Sequence, residues 1–169
     1  MRPALITLAN ERAAKASARS PYPHMSPADT AVWEIFLELH LVEFVKVYYD
    51  VGVGGKGATQ LGPEASDRPM WVSLLKKRID AVVVRVRDVW TCEVKPTANM
   101  SSLGQSLTYA HQFKEEGRTE LPVRPVVIAS RIDLDVEDLF IRYDVLAFAV
   151  QRDELGRPSL VKQVGAFAP

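Results

Sequence analysis

The chain has 169 residues and 47% hydrophobic residues, which fits a single domain with a hydrophobic core. Its 21 basic and 21 acidic residues cancel, so net charge neither favours nor excludes a nucleic-acid partner, because binding requires only a local basic patch. The single cysteine, Cys92, excludes an internal disulfide and a cysteine-rich zinc site.

No apolar run predicts a membrane span, and the N-terminus lacks the apolar region of a signal peptide. We therefore expect no membrane partner and a reducing, cytoplasmic location, which is the host cytoplasm if the source is a virus.

Residues 1–25 are interpreted as an N-terminal arm, and residues 26–169 as one domain. The arm is rich in alanine and carries Arg12, Lys15 and Arg19. A surface or partner-binding helix explains this composition better than a DNA contact does.

The first helix of the domain is predicted over residues 26–39. Ser26 is a good N-cap, and Pro27 suits the first helical turn. Apolar residues at 32, 35, 36 and 39 form its packed face. Glu34 and Glu38 lie one turn apart on another face. They are either solvated glutamates, or one of them reaches over the sheet as a further ligand of a metal or a water.

A strand is predicted over residues 41–51, and the glycine-rich stretch GVGGKG follows it at residues 52–57. This stretch fits the dinucleotide-binding pattern G-x-G-x-x-G, but we reject that fold because no helix and no βαβ unit follow. Residues 52–69 are instead predicted to form a long loop beside the functional site, with Lys56 as a phosphate contact. Residues 70–75 are predicted as a short strand or turn. A basic cluster comes next, formed by Lys76, Lys77 and Arg78.

Residues 78–96 are predicted to form a hairpin of two strands, because Val, Ile, Trp and Thr dominate them. A two-residue turn at Arg87 and Asp88 sets Asp80 opposite Lys95 and diagonal to Glu93. All three functional side chains then project from one face. Diagonal neighbours lie roughly 7–8 Å apart, a gap that suits a hard cation held between two carboxylates.

Both faces of this hairpin are otherwise apolar, as in strands from the middle of a covered sheet. Unpaired charges are costly there, and a metal with a phosphate would compensate them. The alternative is an Asp80–Lys95 salt bridge at the end of the sheet with Glu93 solvated. The predicted carboxylate face carries Val82, Val84, Val86 and Val89, and the opposite face carries Ile79, Ala81, Val83, Trp90, Cys92 and Val94.

A second long helix is predicted over residues 102–116, ended by Gly117. It carries a polar stripe, Gln105, Tyr109 and Gln112, at i, i+4 and i+7. The stripe is either a solvated face or a row that orients a phosphate backbone or a water. A strand at 123–129, a short helix at 133–143 and a hairpin of strands at 144–151 and 158–164 complete the domain. No metal-ligand spacing links the histidines, which are His24, His40 and His111.

This order of elements resembles the PD-(D/E)xK nuclease superfamily over residues 27–130. Asp80 opens one hairpin strand, and Glu93-Val94-Lys95 ends the next. Gln105 and Tyr109 resemble the Gln-x-x-x-Tyr feature of the RecB-like and phage-exonuclease branch. The proline of the family name is absent, since Ile79 precedes Asp80. The resemblance implies an α/β fold with a restriction-endonuclease-like core. This core is a central mixed β-sheet flanked by helices in αβββαβ order, with C-terminal α and β-hairpin additions.

The activity implied by the resemblance is divalent-metal-dependent hydrolysis of DNA phosphodiester bonds. Mg²⁺ or Mn²⁺ would be held by Asp80, Glu93 and the Val94 carbonyl. Lys95 would orient the attacking water and stabilise charge on the phosphate. The family also implies a glutamate on the first helix, for which Glu34 is preferred to Glu38. The implied catalytic set is Asp80, Glu93, Lys95, Glu34 and Gln105, and the expected nucleic-acid contacts are Lys56, Lys76, Lys77, Arg78 and Tyr109.

The expected partner is double-stranded or branched DNA, with self-association into a homo-oligomer as a further expectation. Two alternatives stay open. One is a non-catalytic nucleic-acid-binding or assembly module of a phage or repair complex, and the basic arm and the Tyr48-Tyr49 pair would suit such an assembly. The other is a plain α/β structural protein.

Overall fold

A six-stranded mixed β-sheet flanked by helices forms the protein in a computed structural model that describes residues 22, 24–57 and 69–166. The N-terminal arm therefore lies almost wholly outside the described residues, as do residues 58–68 of the predicted loop. The helices are α1 (Pro27–Glu38), α2 (Pro69–Leu75), α3 (Met100–Glu115) and α4 (Glu137–Arg142). The strands are β1 (Lys46–Gly54), β2 (Lys76–Val84), β3 (Val89–Ala98), β4 (Val123–Ile132), β5 (Leu146–Arg152) and β6 (Pro158–Val164).

The strands lie in the sheet in the order in which they occur along the chain. Strand β2 is antiparallel to both β1 and β3, strands β3, β4 and β5 run parallel, and β6 returns antiparallel to β5. The parallel connections pass through α3 and α4, as parallel strands require a crossover. The expectation of an α/β fold with a mixed sheet and a C-terminal helix and hairpin is confirmed.

Helices cover both faces of the sheet, which explains why the central strands are apolar on both sides. On one face, α1 packs through Val32, Trp33 and Phe36 against a cluster that includes Trp90 and Phe148. On the other face, α3 packs through two clusters. One contains Leu103 and Leu107, and the other contains Tyr109 and Phe113. Cys92 is fully buried on the α1 face, as expected of a core residue.

The β2–β3 hairpin has a four-residue turn, and the predicted two-residue turn is wrong. Val84 pairs with Val89, and the Arg85 N–H donates to the Asp88 carbonyl. Val86 consequently lies in the turn with 79% of its surface exposed. The register is shifted by two residues, so side chains keep their faces. Extending the observed register by one pair sets Asp80 against Glu93, where Lys95 was expected.

Asp50 and Asp80 are neighbours across β1 and β2. At these two residues the side chains of both strands change the face of the sheet on which they pack. Tyr49 and Ala81 pack on the α1 face, whereas Val51 and Ile79 pack on the α3 face, although all four have odd numbers. The backbone of Asp50 explains this irregularity, because its φ of 55° is left-handed. The prediction that Ile79 shares a face with Ala81 is therefore wrong.

Helix α3 begins two residues earlier than predicted, with Asn99 as its N-cap, and Gly117 follows its end with a φ of 61°. The first strand was predicted at residues 41–51 but spans Lys46–Gly54. Residues 70–75 lie in helix α2, so the predicted strand or turn is wrong.

None of the helices in the described part of the chain has the length and apolar character needed to cross a membrane.

The glycines of the GVGGKG stretch allow β1 to approach the end of α3 closely. A Cβ atom added at Gly54 would lie 2.8 Å from Gln112 Oε1, and the residue has a φ of 77°. The Gly54 N–H donates to Glu116 Oε1 at 2.7 Å, and Arg118 Nη2 donates to the Gly52 carbonyl at 2.5 Å. This packing explains Gly54 without any nucleotide.

Candidate active site

The sheet splits into two arms at Asp80 and Glu93, a feature that we call the fork. The β2–β3 ladder ends at the Ala81–Cys92 pair. Beyond this pair, β2 stays with β1, and β3 stays with β4. The Asp80 side chain lies in the gap, where its Oδ2 atom accepts a hydrogen bond of 2.8 Å from the Val94 N–H. A carboxylate therefore stands where the next ladder hydrogen bond would form.

Glu93 is buried beside Asp80, with only 1% of its surface exposed. Lys95 Nζ lies 3.2 Å from Glu93 Oε1, although this oxygen has no partner in hydrogen-bonding geometry among the described residues. The lysine is half-buried, with 36% of its side chain exposed. This geometry differs from the structural alternative, in which Lys95 pairs with Asp80 and Glu93 is solvated.

Both carboxyl groups at the fork bind protons more tightly than usual. Burial, partly offset by the Val94 hydrogen bond and by Lys95, raises the pKa of Asp80 to about 6. Burial and the neighbouring Asp80 raise the pKa of Glu93 to about 7. Burial alone would lower the pKa of Lys95, but the Glu93 and Asp80 carboxylates raise it overall. The site therefore concentrates negative charge that a cation would relieve.

A third acidic residue, Asp29 on α1, acts on this site. It is 7% exposed and belongs to the α1 capping box, in which its N–H and its carboxylate both bond to Ser26. Its charge contributes to raising the pKa of both Asp80 and Glu93. Asp29 was not among the predicted site residues, because Ser-x-x-Asp before an apolar stripe is a helix-start signal.

The glutamates predicted for this role lie elsewhere. Glu34 is exposed, and its charge acts on Tyr22 and Arg152. Glu38 is also bonded to Arg152, with oxygen–nitrogen distances of 2.6 and 3.0 Å. The structure brings Asp29, and neither of these glutamates, into electrostatic contact with the fork.

Gln105 and Tyr109 extend the site along α3. Gln105 Nε2 lies 3.2 Å from the Tyr109 hydroxyl oxygen, to which it donates a hydrogen bond. Tyr109 is 6% exposed, and burial together with the charge of Glu93 raises the pKa of its hydroxyl. Tyr109 is therefore buried and bonded to a half-buried Gln105, so a fully solvated face does not describe this part of the polar stripe.

A cleft of about 320 Å³ opens beside Lys95, between the end of β3 and the start of α3. Its lining includes the polar residues Thr97, Asn99, Ser101 and Gln105. Lys95 also lines the cleft, so an extended ligand could reach the lysine from this side.

Asp50 adds a further carboxylate across the strand pair from Asp80. Its Oδ2 atom lies 3.3 Å from His24 Nε2 and 3.5 Å from Arg78 Nη1. Its Oδ1 atom is buried without a hydrogen-bond partner among the described residues. Burial raises the pKa of Asp50, with Arg78 and His24 acting in the opposite direction. Its left-handed backbone left no signal in the sequence pattern.

The predicted basic contacts have different surroundings. Lys56 and Lys77 are exposed, whereas Lys76 is half-buried against the glycines of β1. Arg78 is exposed and bonds to Asp50, donating to its carbonyl at 3.2 Å. The structure therefore places Arg78 beside Asp50.

The residues at the fork fit a divalent cation by their chemistry. Carboxylate and carbonyl oxygens are the ligands that Mg²⁺ and Mn²⁺ prefer, and the buried Glu93 Oε1 atom lacks a hydrogen bond. Among the described residues, however, no three His, Cys, Asp or Glu side chains form a preassembled metal-ligand group. A cation at the fork would thus draw on Asp80, Glu93 and further oxygen donors such as the Val94 carbonyl.

Comparison with protein-family models, with characterised proteins and with solved structures gives no match for this chain. Its functional interpretation consequently depends on the geometry of the fork and on the resemblance of its motif.

Proposed function

We propose that the protein is a divalent-metal-dependent nuclease that hydrolyses DNA phosphodiester bonds at the fork. The single observation that carries this proposal is the burial of Asp80 and Glu93, with Lys95, at the point where β2 and β3 separate. Buried carboxylates that are only partly compensated are costly for stability. Perturbed carboxyl groups beside a cleft are typical of functional sites.

The order of elements supports the resemblance to PD-(D/E)xK nucleases. Helix α1 precedes β1, the β2–β3 hairpin carries the Asp and Glu-x-Lys residues, and α3 leads to β4. We assign the restriction-endonuclease-like core to residues 27–130 on this basis. In this assignment Asp29 has the role that was predicted for a glutamate of the first helix.

Each residue of the fork has a chemical role in this proposal. Asp80 and Glu93, with the Val94 carbonyl, would hold Mg²⁺ or Mn²⁺. When bound, the ion supplies Lewis-acid polarisation of the phosphate and acidification of a water. The Lys95 ammonium group orients the attacking water and stabilises negative charge that develops on the phosphate.

The hydrogen bond between Asp80 and the Val94 N–H fixes one carboxylate oxygen and leaves the other for the cation. The Gln105–Tyr109 pair holds two polar groups in a fixed orientation beside the cleft. Preorganised groups of this kind cost little to reorganise during the reaction.

The test is cleavage of labelled single-stranded, double-stranded and branched DNA in Mg²⁺ or Mn²⁺. Wild type is compared with Asp80→Asn, Glu93→Gln and Lys95→Ala. We expect each variant to lose at least about 100-fold in cleavage rate, as removal of one stabilising group typically does. The matched control is Glu154→Gln, which removes an exposed carboxylate far from the fork in sequence and should cut like wild type.

Two results would contradict the nuclease proposal. One is wild-type protein that cuts none of these substrates with either metal. The other is cutting that survives in all three variants. DNA binding without cutting would instead favour a non-catalytic nucleic-acid-binding module.

A further inference from the structure

The cleft beside Lys95 has a charged residue at its edge that the proposed reaction does not use. Arg131 on β4 pairs in register with Thr97 on β3. Arg131 Nε donates a hydrogen bond of 2.9 Å to Thr97 Oγ1, and Thr97 lines the cleft. Thr97 therefore fixes the Nε atom of the exposed Arg131 side chain at the edge of the cleft.

The positive charge of the Arg131 guanidinium group is available to a ligand. Within the described residues, no carboxylate lies at ion-pair distance from it. Its hydrogen bond to Thr97 uses Nε, which leaves the donors of both Nη groups for a ligand. Arginine suits phosphate binding because its planar fork of donors matches two phosphate oxygens.

The start of α3 offers no competing anion site. Asn99 Oδ1 already accepts hydrogen bonds from the Ser101 and Ser102 N–H groups. The first turn is thus capped from within the chain. Positive charge at this cleft comes from side chains, namely Lys95 in its lining and Arg131, which is bonded to the lining residue Thr97.

The positions of Lys95 and Thr97 along β3 suit consecutive phosphates. Lys95 and Thr97 are two residues apart on one strand and line the same cleft, which corresponds to about 6.6 Å along the strand. Successive phosphates of a nucleic-acid strand have a comparable separation. The neutral polar groups between the charges can contact a sugar.

We propose that Arg131, positioned by Thr97, binds the phosphate next to the scissile one, so that the substrate strand runs along β3 from Lys95 across the cleft. This inference rests on the proposed function and extends it. The substrate class is a polynucleotide with at least one further phosphate beside the cleaved bond. A diester that lacks this phosphate should be a poor substrate.

The experiment measures binding of a labelled single-stranded oligodeoxynucleotide at several salt concentrations in EDTA, where no metal-dependent turnover occurs. Arg131→Ala should weaken binding by about tenfold, the loss expected for a hydrogen bond to a charged group. The slope of log affinity against log salt should fall by about 0.7 for a single strand. Arg131→Lys keeps the charge and should keep the slope while losing part of the affinity.

The matched control is Arg87→Ala, which removes an exposed arginine from the hairpin turn at the opposite end of β3. In Mg²⁺ or Mn²⁺, Arg131→Ala should raise KM far more than it lowers kcat, because it removes a contact that is equal in substrate and transition state. An effect of Arg87→Ala as large as that of Arg131→Ala would overturn the inference.

The two proposals fail in different ways. Wild-type cleavage, together with an Arg131→Ala variant of unchanged affinity and salt slope, would overturn the role of Arg131 alone. Wild-type protein that neither binds nor cuts any nucleic acid would overturn both proposals.

Discussion

Replacing Glu93 by glutamine should stabilise the folded protein at pH 8 while abolishing cleavage. Glu93 is 1% exposed, and its pKa is raised from 4.5 to about 7 by burial and by Asp80. Each pKa unit corresponds to about 1.36 kcal/mol, so ionised Glu93 lowers the free energy of unfolding by about 3 kcal/mol. Glutamine has nearly the same shape as the protonated acid and removes this cost.

The sign of the pH dependence follows from the raised pKa. The folded state binds the Glu93 proton more tightly than the unfolded state does, so the free energy of unfolding falls as pH rises from about 4.5 to about 7. The full penalty is present above the folded-state pKa. The advantage of the glutamine variant should therefore be about 3 kcal/mol at pH 8 and less than about 1 kcal/mol at pH 5.

Urea unfolding of wild type and Glu93→Gln at both pH values, without divalent cations, measures this difference. The melting temperature at pH 8 should rise by about 6–12 °C for a chain of this size. Adding Mg²⁺ should stabilise wild type more than the variant, because a ligand of the folded state stabilises it by mass action. The exposed control Glu154→Gln should match wild type throughout. A Glu93→Gln variant that is equally or less stable at pH 8 would refute the reasoning.

Three further substitutions test other parts of the structure. Asp29→Asn keeps a side chain at N3 that can still accept the capping hydrogen bond, but it removes the negative charge. Because that charge contributes to raising the pKa of Asp80, the pH at which cleavage is half-maximal should move lower. Glu38→Gln breaks an exposed ion pair and should leave cleavage unchanged, which an activity assay checks directly. Gly54→Ala should destabilise the protein by more than about 1 kcal/mol in urea unfolding, because of its left-handed φ and its contact with Gln112. Gly104→Ala is its control, since a Cβ there meets nothing within 4 Å, and it should not destabilise.

The helices and strands of the core follow from local sequence signals. The Ser26-Pro27 start of α1 and the Gly117 stop of α3 are backbone chemistry that a single sequence displays. The β-branched and aromatic residues of 78–96 predicted β2 and β3 as neighbouring strands. The turn length between them was not determined by this pattern, because a shift of two residues keeps every side chain on its face.

The parts of the site that escaped prediction depend on contacts between distant segments. The left-handed backbone of Asp50 exchanges the packed faces of β1 and β2, and no period-two pattern indicates such a change. Asp29 lies beside the fork because α1 packs across the sheet, whereas its position in the sequence indicates a helix cap. Glu34 was preferred by family resemblance, which fixes a residue type on a helix without fixing its rotation.

The measurement that tests the central claim most directly is the rate at which wild type and Glu93→Gln hydrolyse the same labelled DNA in Mn²⁺. The proposed chemistry predicts metal-dependent cutting by wild type and a loss of at least about 100-fold in the variant, although the variant is the more stable protein at pH 8. Equal rates for the two proteins would contradict a catalytic role for the buried carboxylates of the fork.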